Sequence, residues 1–450
     1  MKKACLIFDV LYQHLNVTVF DQDYNVLFHK TEPKYFSQDE DGHKCEDLQA
    51  LVAWVQENYK IHTSSSEYSI SAVNFNSYAG ALVHLDANHK PLMPVYDIDK
   101  PFGYKTKKAL VEVFEKYHEL GNEIQVTEIS FEAGALQLFW IKENKKEIFH
   151  RIKSSLSIAQ FLQFTFTGTI QHDHTSVGCH SGAWNFDRNS MHKWLVESHI
   201  NSYNLPIVKS NSTVKVGDIS YGAGLYSKVS ELQPFLDFDD EQFILLSTGA
   251  WTVCINPFNT AKASKSDRRN NCFNILDTDG KRIKMARLFS GNEHTRQIQH
   301  LAKHFGLDGN HCFDIEYDDT IVRRLRKNTQ QVTPDGTNLG HMLDSPFMER
   351  NLNQFSSIEE AYHQFIMDLV AQQIASIRLT ADHQINRKIY VEGGLAKNSV
   401  FMELLSEAFH DKAIYKVGFE DTAALGAAML ISDTWGAGKF SPEMLQLELI

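Results

Sequence analysis

A short apolar strand, a turn and a second strand occur near residues 4–20, and the same order returns near 242–255. Strands that alternate with helical periodicity on both sides of such a repeat point to α/β architecture in two related halves. In the first half, residues 3–9, 15–20 and 25–29 are β-rich, with Asp21-Gln22-Asp23 as a turn signal before the third run. A helix over 46–59 carries Leu48, Leu51, Val52 and Val55 on one face, and a strand follows at 69–75. Helical patterns at 106–117, 132–142 and 157–164 give way across 170–215 to a stretch rich in His, Ser, Asn and Gly. The second half restarts with a strand at 241–246, the small-residue turn Ser247-Thr248-Gly249-Ala250 and a strand at 251–255. Later come a helix over 361–380, a strand at 388–391, the pair Gly393-Gly394, and a helix over 399–410 with Asn398 as its N-cap. The acidic segment 237–241 sets the expected boundary near 240, giving domains 1–240 and 241–450.

Composition narrows the function classes. With 44 Lys and Arg against 56 Asp and Glu, the chain of 450 residues has a formal charge of −12, which disfavours nucleic-acid and anionic-membrane partners. No run reaches the roughly 18 to 20 apolar residues that span a bilayer, and the opening Met1-Lys2-Lys3 leads into too short an apolar run for a signal peptide. Cys5, Cys45, Cys179, Cys254, Cys272 and Cys312 lack CxxC spacing, so reduced thiols in a cytoplasm are expected, rather than a disulfide frame or zinc site. The 21 histidines show no ligand spacing.

Three segments suit a phosphate or a close backbone approach. Ser247-Thr248-Gly249-Ala250 offers hydroxyls and amides between two strands, or is an ordinary hairpin turn. Glu392-Gly393-Gly394-Leu-Ala-Lys397-Asn398 joins a strand to a helix N-terminus, where paired glycines admit a ligand or merely supply positive φ. Asp421-Thr422-Ala-Ala-Leu-Gly-Ala-Ala428 presents a small helix face for tight packing or for a flat ring.

Together and in this order, these segments resemble the FGGY family of carbohydrate kinases, with the motifs Leu246-Ser-Thr-Gly-Ala-Trp251, Arg287-Leu-Phe-Ser-Gly-Asn-Glu-His294, Glu392-Gly-Gly-Leu-Ala-Lys-Asn398 and Thr422-Ala-Ala-Leu-Gly-Ala-Ala428. Thr175-Ser-Val-Gly-Cys-His-Ser-Gly-Ala-Trp184 and the stretch from Leu85-Asp86 through Pro94-Val-Tyr96 look like that family's sugar-domain segments. The flavour is closest to the rhamnulokinase and fuculokinase branch. The resemblance implies a duplicated actin/hexokinase-like (ribonuclease H-like) two-domain α/β fold with an interdomain cleft. It implies an amino-terminal sugar domain, a carboxy-terminal nucleotide domain, ATP and Mg²⁺ as cofactors, and a small ketose or deoxyketose as substrate. A cytoplasmic location and a homodimer are compatible with it. Ser247, Thr248 and Gly249 then fall to the phosphate loop, Gly393, Gly394 and Asn398 to the adenosine side, and Asp9 to indirect metal and phosphate positioning.

Several requirements of phosphoryl transfer are altered in this chain. The family has Gly two places after the first aspartate; here Asp9 is followed by Val10-Leu11-Tyr12-Gln13-His14, which puts bulk where phosphate oxygens need backbone amides. The family's base is an Asp that opens a small-residue helix shortly before the second-half strand. In Val216-Gly217-Asp218-Ile-Ser220-Tyr-Gly-Ala-Gly-Leu225, one alignment puts Ser220 there and another puts Asp218, which is equally a helix N-cap. Tyr96-Asp97-Ile98-Asp99-Lys100 has the sugar segment's aromatic, but its acids are shifted and Lys stands for Arg; Asp97 or Asp99 grips sugar hydroxyls or sits in a surface turn. His180 is a sugar-pocket candidate or a hydrogen-bonded loop histidine. Three functions stay open: an active sugar kinase, a noncatalytic relative that binds nucleotide, sugar or a protein, and an actin-like polymer subunit.

Overall fold

The computed structural model describes residues 1–117, 119–328, 345–381 and 387–450. Two compact units form: Met1–Phe238 with Asn274–Arg282 and Asp421–Ser441, and Asp239–Phe273 with Ile283–Glu420 and Pro442–Ile450. The second unit begins within two residues of the expected boundary. In space, segments 274–282 and 421–441 pack with the first unit, so the compact units are not continuous in sequence.

In the first unit, β1 (Lys2–Val10), β2 (His14–Asp21) and β3 (Val26–Pro33) form an antiparallel meander. The apolar β1 is buried from Ala4 onward, as a central strand covered on both faces must be. Strand Tyr68–Ser77 runs parallel to β1 on its other side, and Ile219–Gly222 lies parallel beyond it. The sheet order is Thr213–Val216, Ile219–Gly222, Tyr68–Ser77, β1, β2, β3. Helix α1 (Leu48–Thr63) is capped by Asp47 and buries Leu51, Trp54 and Val55, while helix Ile158–Thr167 starts on the Ser157 cap. Helix Thr422–Met429 also belongs here: the Asn74 and Asn76 side-chain amides donate to the Ala427 and Ala423 carbonyls. A Cβ at Gly426 would overlap the Ser230 carbonyl oxygen, so the small-residue face serves close packing.

The second unit repeats the plan. Strand Phe243–Thr248 is antiparallel to Thr252–Asn256 and parallel to Lys388–Gly393, which is parallel in turn to Ala413–Lys416. Arg282–Leu288 adds to Thr252–Asn256 as β3 adds to β2. The long helix Ile358–Thr380 packs Phe365, Ile366, Leu369, Ile374 and Ile377 into one core with Ile244, Leu246 and Val391. Both units thus share one strand order and polarity, which makes the repeat topological as well as sequential. The six cysteines are buried and form no disulfide, and among the described residues no helix is long and apolar enough to cross a membrane.

Candidate functional site

Asp9 sits near the end of β1, 1% exposed, with Asn16 and Asn76 as its register partners on the flanking strands. Its Oδ1 accepts a hydrogen bond from the Ser227 hydroxyl at 2.9 Å. Burial pushes the carboxyl well above the usual carboxylate range, the charges of Asp421 and Glu231 add to that, and Ser227 and Lys228 oppose it. Asp421 caps helix Thr422–Met429: it accepts from the Ala424 amide at 3.1 Å and from the Thr18 hydroxyl at 2.9 Å. Burial raises its carboxyl as well.

The base segment folds differently from either alignment. Gly217-Asp218 is the exposed turn of a hairpin between Thr213–Val216 and Ile219–Gly222, with Gly217 at φ 61°. Asp218 therefore caps no helix, and Ser220 lies in the strand opposite Lys215 and Ala72. Two short helices precede the second-half strand, Ser227–Ser230, entered from strand Leu225–Tyr226, and Gln233–Phe238; the first follows the small residues Gly222-Ala223-Gly224. Its first residue is Ser227, the hydroxyl bound to Asp9. Sequence reasoning missed it because four residues carry no helical periodicity. The available signal was Gly-Asp between two β-rich runs, which reads as a two-residue hairpin turn.

Tyr12 does not swing free. Its hydroxyl lies 2.9 Å from Asp97 Oδ1 and 3.0 Å from Asp99 Oδ2, and it accepts from the Lys44 ammonium at 3.0 Å. Lys44 also pairs with Asp97 Oδ2 at 3.0 Å, and Lys34 donates to the Leu11 carbonyl at 3.0 Å, tying the turn down. Tyr96 is 1% exposed, donates to Glu40 and packs its ring on Phe131 and Trp140, each 5.6 Å away. That is a core position, with no face left for a sugar. His180, at φ 47°, has Nδ1 3.7 Å from Glu132 Oε2. It lines a cavity with Ser77, Tyr78, Ser176, Tyr203 and Tyr226 whose volume of about 10 Å³ has room for no more than about one water molecule.

In the second unit the two glycine turns meet. Thr248 and Gly393 are register partners, the Thr248 hydroxyl donates to the Glu392 carbonyl and accepts from the Leu395 amide, and its carbonyl accepts from Gly394. A Cβ at Gly393 (φ 85°) would overlap the Thr248 carbonyl, so that glycine is needed for packing. Gly291 closes the same way on the Gly249 carbonyl. Gly249 and Gly394 differ: the nearest atoms to a Cβ there lie at 3.6 and 4.0 Å, although both amides are bonded, Gly249 N to the Trp251 carbonyl at 3.1 Å and Gly394 N to the Thr248 carbonyl at 2.9 Å. Ser247 and Thr248 are buried. Asn398 uses its amide twice, accepting from Phe401 N at 2.9 Å as the expected N-cap and donating to Tyr362 at 2.6 Å.

What these turns offer a nucleotide phosphate is space beside Gly249 and Gly394, with the N-terminus of helix Ser290–Phe305 packed behind Gly249. When bound, ATP would supply the transferable phosphoryl group. Magnesium is not matched in the same way. Among the described residues no group of three or more His, Cys, Asp or Glu side chains is arranged to hold a metal ion. Asp9, assigned to it by resemblance, is turned to a hydroxyl and held toward its neutral form.

Comparison with known proteins agrees with this architecture. The model for the N-terminal domain of the FGGY family of carbohydrate kinases matches residues 4–220. The model for the carbohydrate kinase FGGY C-terminal domain matches 240–439. The chain belongs to the FGGY family of carbohydrate kinases, a family of ATP-dependent sugar phosphotransferases, and has its two-domain α/β fold. Among solved structures it is similar to a carbohydrate kinase from Novosphingobium aromaticivorans, at 17% identity and TM-score 0.76, over 100% of this chain and 94% of that one. It is also similar to the ligand-bound xylulose kinase of Lactobacillus acidophilus (16%, TM-score 0.78, 100% and 93%) and the ADP complex of Plasmodium falciparum glycerol kinase (15%, TM-score 0.72, 98% and 91%). No curated protein sequence matches the chain.

Proposed function

We propose that this protein binds a nucleotide and a small ketose or deoxyketose, in the manner of the rhamnulokinase and fuculokinase branch, but transfers the phosphoryl group slowly or not at all. The observation that carries this reading is Ser227, a hydroxyl at the head of the short helix and in contact with Asp9. A serine hydroxyl cannot accept the substrate's proton near neutral pH, and general-base assistance contributes roughly 10² to 10⁴ in rate. Leu11 and Tyr12 support the reading, since they replace small residues at the first turn and the turn is anchored by Lys34. Ser247, Thr248, Gly249, Gly393, Gly394 and Asn398 retain the nucleotide side.

The test is ADP formation with Mg·ATP and ribulose, xylulose, rhamnulose or fuculose, alongside calorimetric titration of nucleotide and sugar. Binding with little sugar-dependent ADP is expected. A robust kcat in the unmodified protein overturns the proposal. The exposed position of Asp218 in its turn leaves room for a second reading, an active ketose kinase with Asp218 as base; loss of turnover in Asp218→Asn would select it.

A further inference from the structure

Buried indoles in this protein hand their N–H to an acceptor at Trp54, Trp194 and Trp435: the Glu32 carboxylate, the Gly182 carbonyl at 2.9 Å and the Ala428 carbonyl at 3.4 Å. Trp184 does not. It is 5% exposed, and its Nε1–H is closed off from water yet reaches no acceptor among the described residues. Native folds leave few buried donors unpaired, because the hydration they give up is not recovered. Trp184 also forms part of the wall of a cavity of about 380 Å³ in the first unit, a volume in the range of small-molecule sites. Hairpin strands Trp184–Asn185 and Ser190–Met191, helix Trp194–Glu197 and strand Ile207–Val208 frame it, and Met191, Leu195, Val196 and Ile207 make the lining mainly apolar. Met191 is the register partner of Trp184 and packs on its cluster, an unbranched side chain able to make way for a ligand.

The charge on this wall is one-sided. Lys193 lines it, and among the described residues no Asp or Glu does. The Lys193 ammonium is exposed and meets Glu197 at 3.7 Å, a surface pair that a ligand charge can displace. His192 is spent elsewhere: its Nε2 lies 2.7 Å from Glu123 Oε2, and its Nδ1 accepts from the Trp194 amide at 3.0 Å.

We infer that this cavity binds a small apolar carboxylic acid as its carboxylate, one oxygen accepting from the Trp184 indole N–H and the charge balanced by Lys193. A carboxylate supplies both the acceptor that the indole lacks and the anion that the wall lacks, while an aliphatic or aromatic body covers Met191, Leu195 and Ile207. An alcohol of the same shape supplies the acceptor alone. The inference goes beyond the nucleotide and sugar reading, which uses none of these side chains.

The experiment is proton–nitrogen NMR of the full chain with isotope-labelled tryptophan indoles. Phenylacetate, benzoate and hexanoate are titrated in turn, each against its neutral alcohol: phenylethanol, benzyl alcohol and hexanol. At least one acid should move the Trp184 signal, identified by its absence from Trp184→Phe, to a saturating end point. Lys193→Met should weaken that acid about threefold, the worth of an exposed charge pair, and the matching alcohol should be weaker by at least as much. A Trp184 signal that no acid moves overturns the inference. So does equal affinity for acid and alcohol, or an affinity that Lys193→Met leaves unchanged. A signal that moves with protein concentration alone marks a second copy over the cavity and overturns it too. Trp184→Tyr identifies the signal should Trp184→Phe lose its circular-dichroism spectrum.

Discussion

The hairpin after β1 and the hairpin after strand Phe243–Thr248 occupy equivalent places in the repeated topology, yet their chemistry has gone opposite ways. In the first, Leu11 and Tyr12 fill the turn, and Lys34, Lys44, Asp97 and Asp99 tie it into a polar network. In the second, Gly249 stays exposed and its neighbours Gly291 and Gly393 are glycine because backbone passes against backbone. A duplicated fold can thus keep its strand order at both copies while one turn leaves space beside a glycine and the other is filled by side chains.

The contrast can be broken most forcefully at Ser227. If the first unit lacks only a proton acceptor, Ser227→Asp should raise sugar-dependent ADP formation by about 10²-fold or more, read by coupled assay. An unchanged rate would shift the blame to the turn itself. Next in size is Lys34→Met. Lys34 and Glu46 are a buried ion pair, 2.7 Å apart and almost wholly inaccessible, so removing one partner should cost about 3 to 5 kcal/mol in urea unfolding of the chain. A loss below 1 kcal/mol would show that the first turn does not depend on its network. Gly393→Ala should cost about 2 to 4 kcal/mol through left-handed strain and overlap with Thr248, against under 1 kcal/mol for Gly394→Ala, read by thermal unfolding.

Acid should sharpen the comparison further. Burial lowers His84 to about 3 and His172 to about 4 in the first unit, and His294 to about 4 in the second. These rings stay neutral when folded, while the unfolded chain takes up protons below about pH 6.5. Stability therefore falls as pH drops from about 6.5 toward 4, by about 1 to 2 kcal/mol per histidine at pH 5, and His172→Phe should flatten the slope. A smaller loss is expected for Asn398→Ala, about 1 kcal/mol from the lost cap, read by thermal unfolding.

Much of this was legible before any coordinates. The strands that open each repeat announced themselves through β-branched and apolar runs, and Asn398 stands where its cap was expected, but strands Thr213–Val216, Ile219–Gly222, Arg282–Leu288 and Ala413–Lys416 were not read from the sequence. What stayed hidden depends on distance or brevity. Ser227 opens a helix of four residues, too short for a period, and Asp218 offered a more familiar acid-before-small-residues pattern that turned out to be a hairpin tip. Tyr12 meets partners 85 and 87 residues away, a contact no local pattern encodes. Tyr96 looked like a sugar-facing aromatic, but hydrophobic neighbours on helix Gly134–Asn144 and at Phe131 claim its ring.

Helix Thr422–Met429 carries a consequence for how the molecule is made. Its carbonyls receive the Asn74 and Asn76 side chains, and its Asp421 cap receives Thr18. A ribosome emits those three receivers' partners some 350 to 400 residues apart. The amino-terminal sheet must therefore wait, incomplete along one flank, until residues 421–429 have been synthesised, and that interval is when a chaperone would find it.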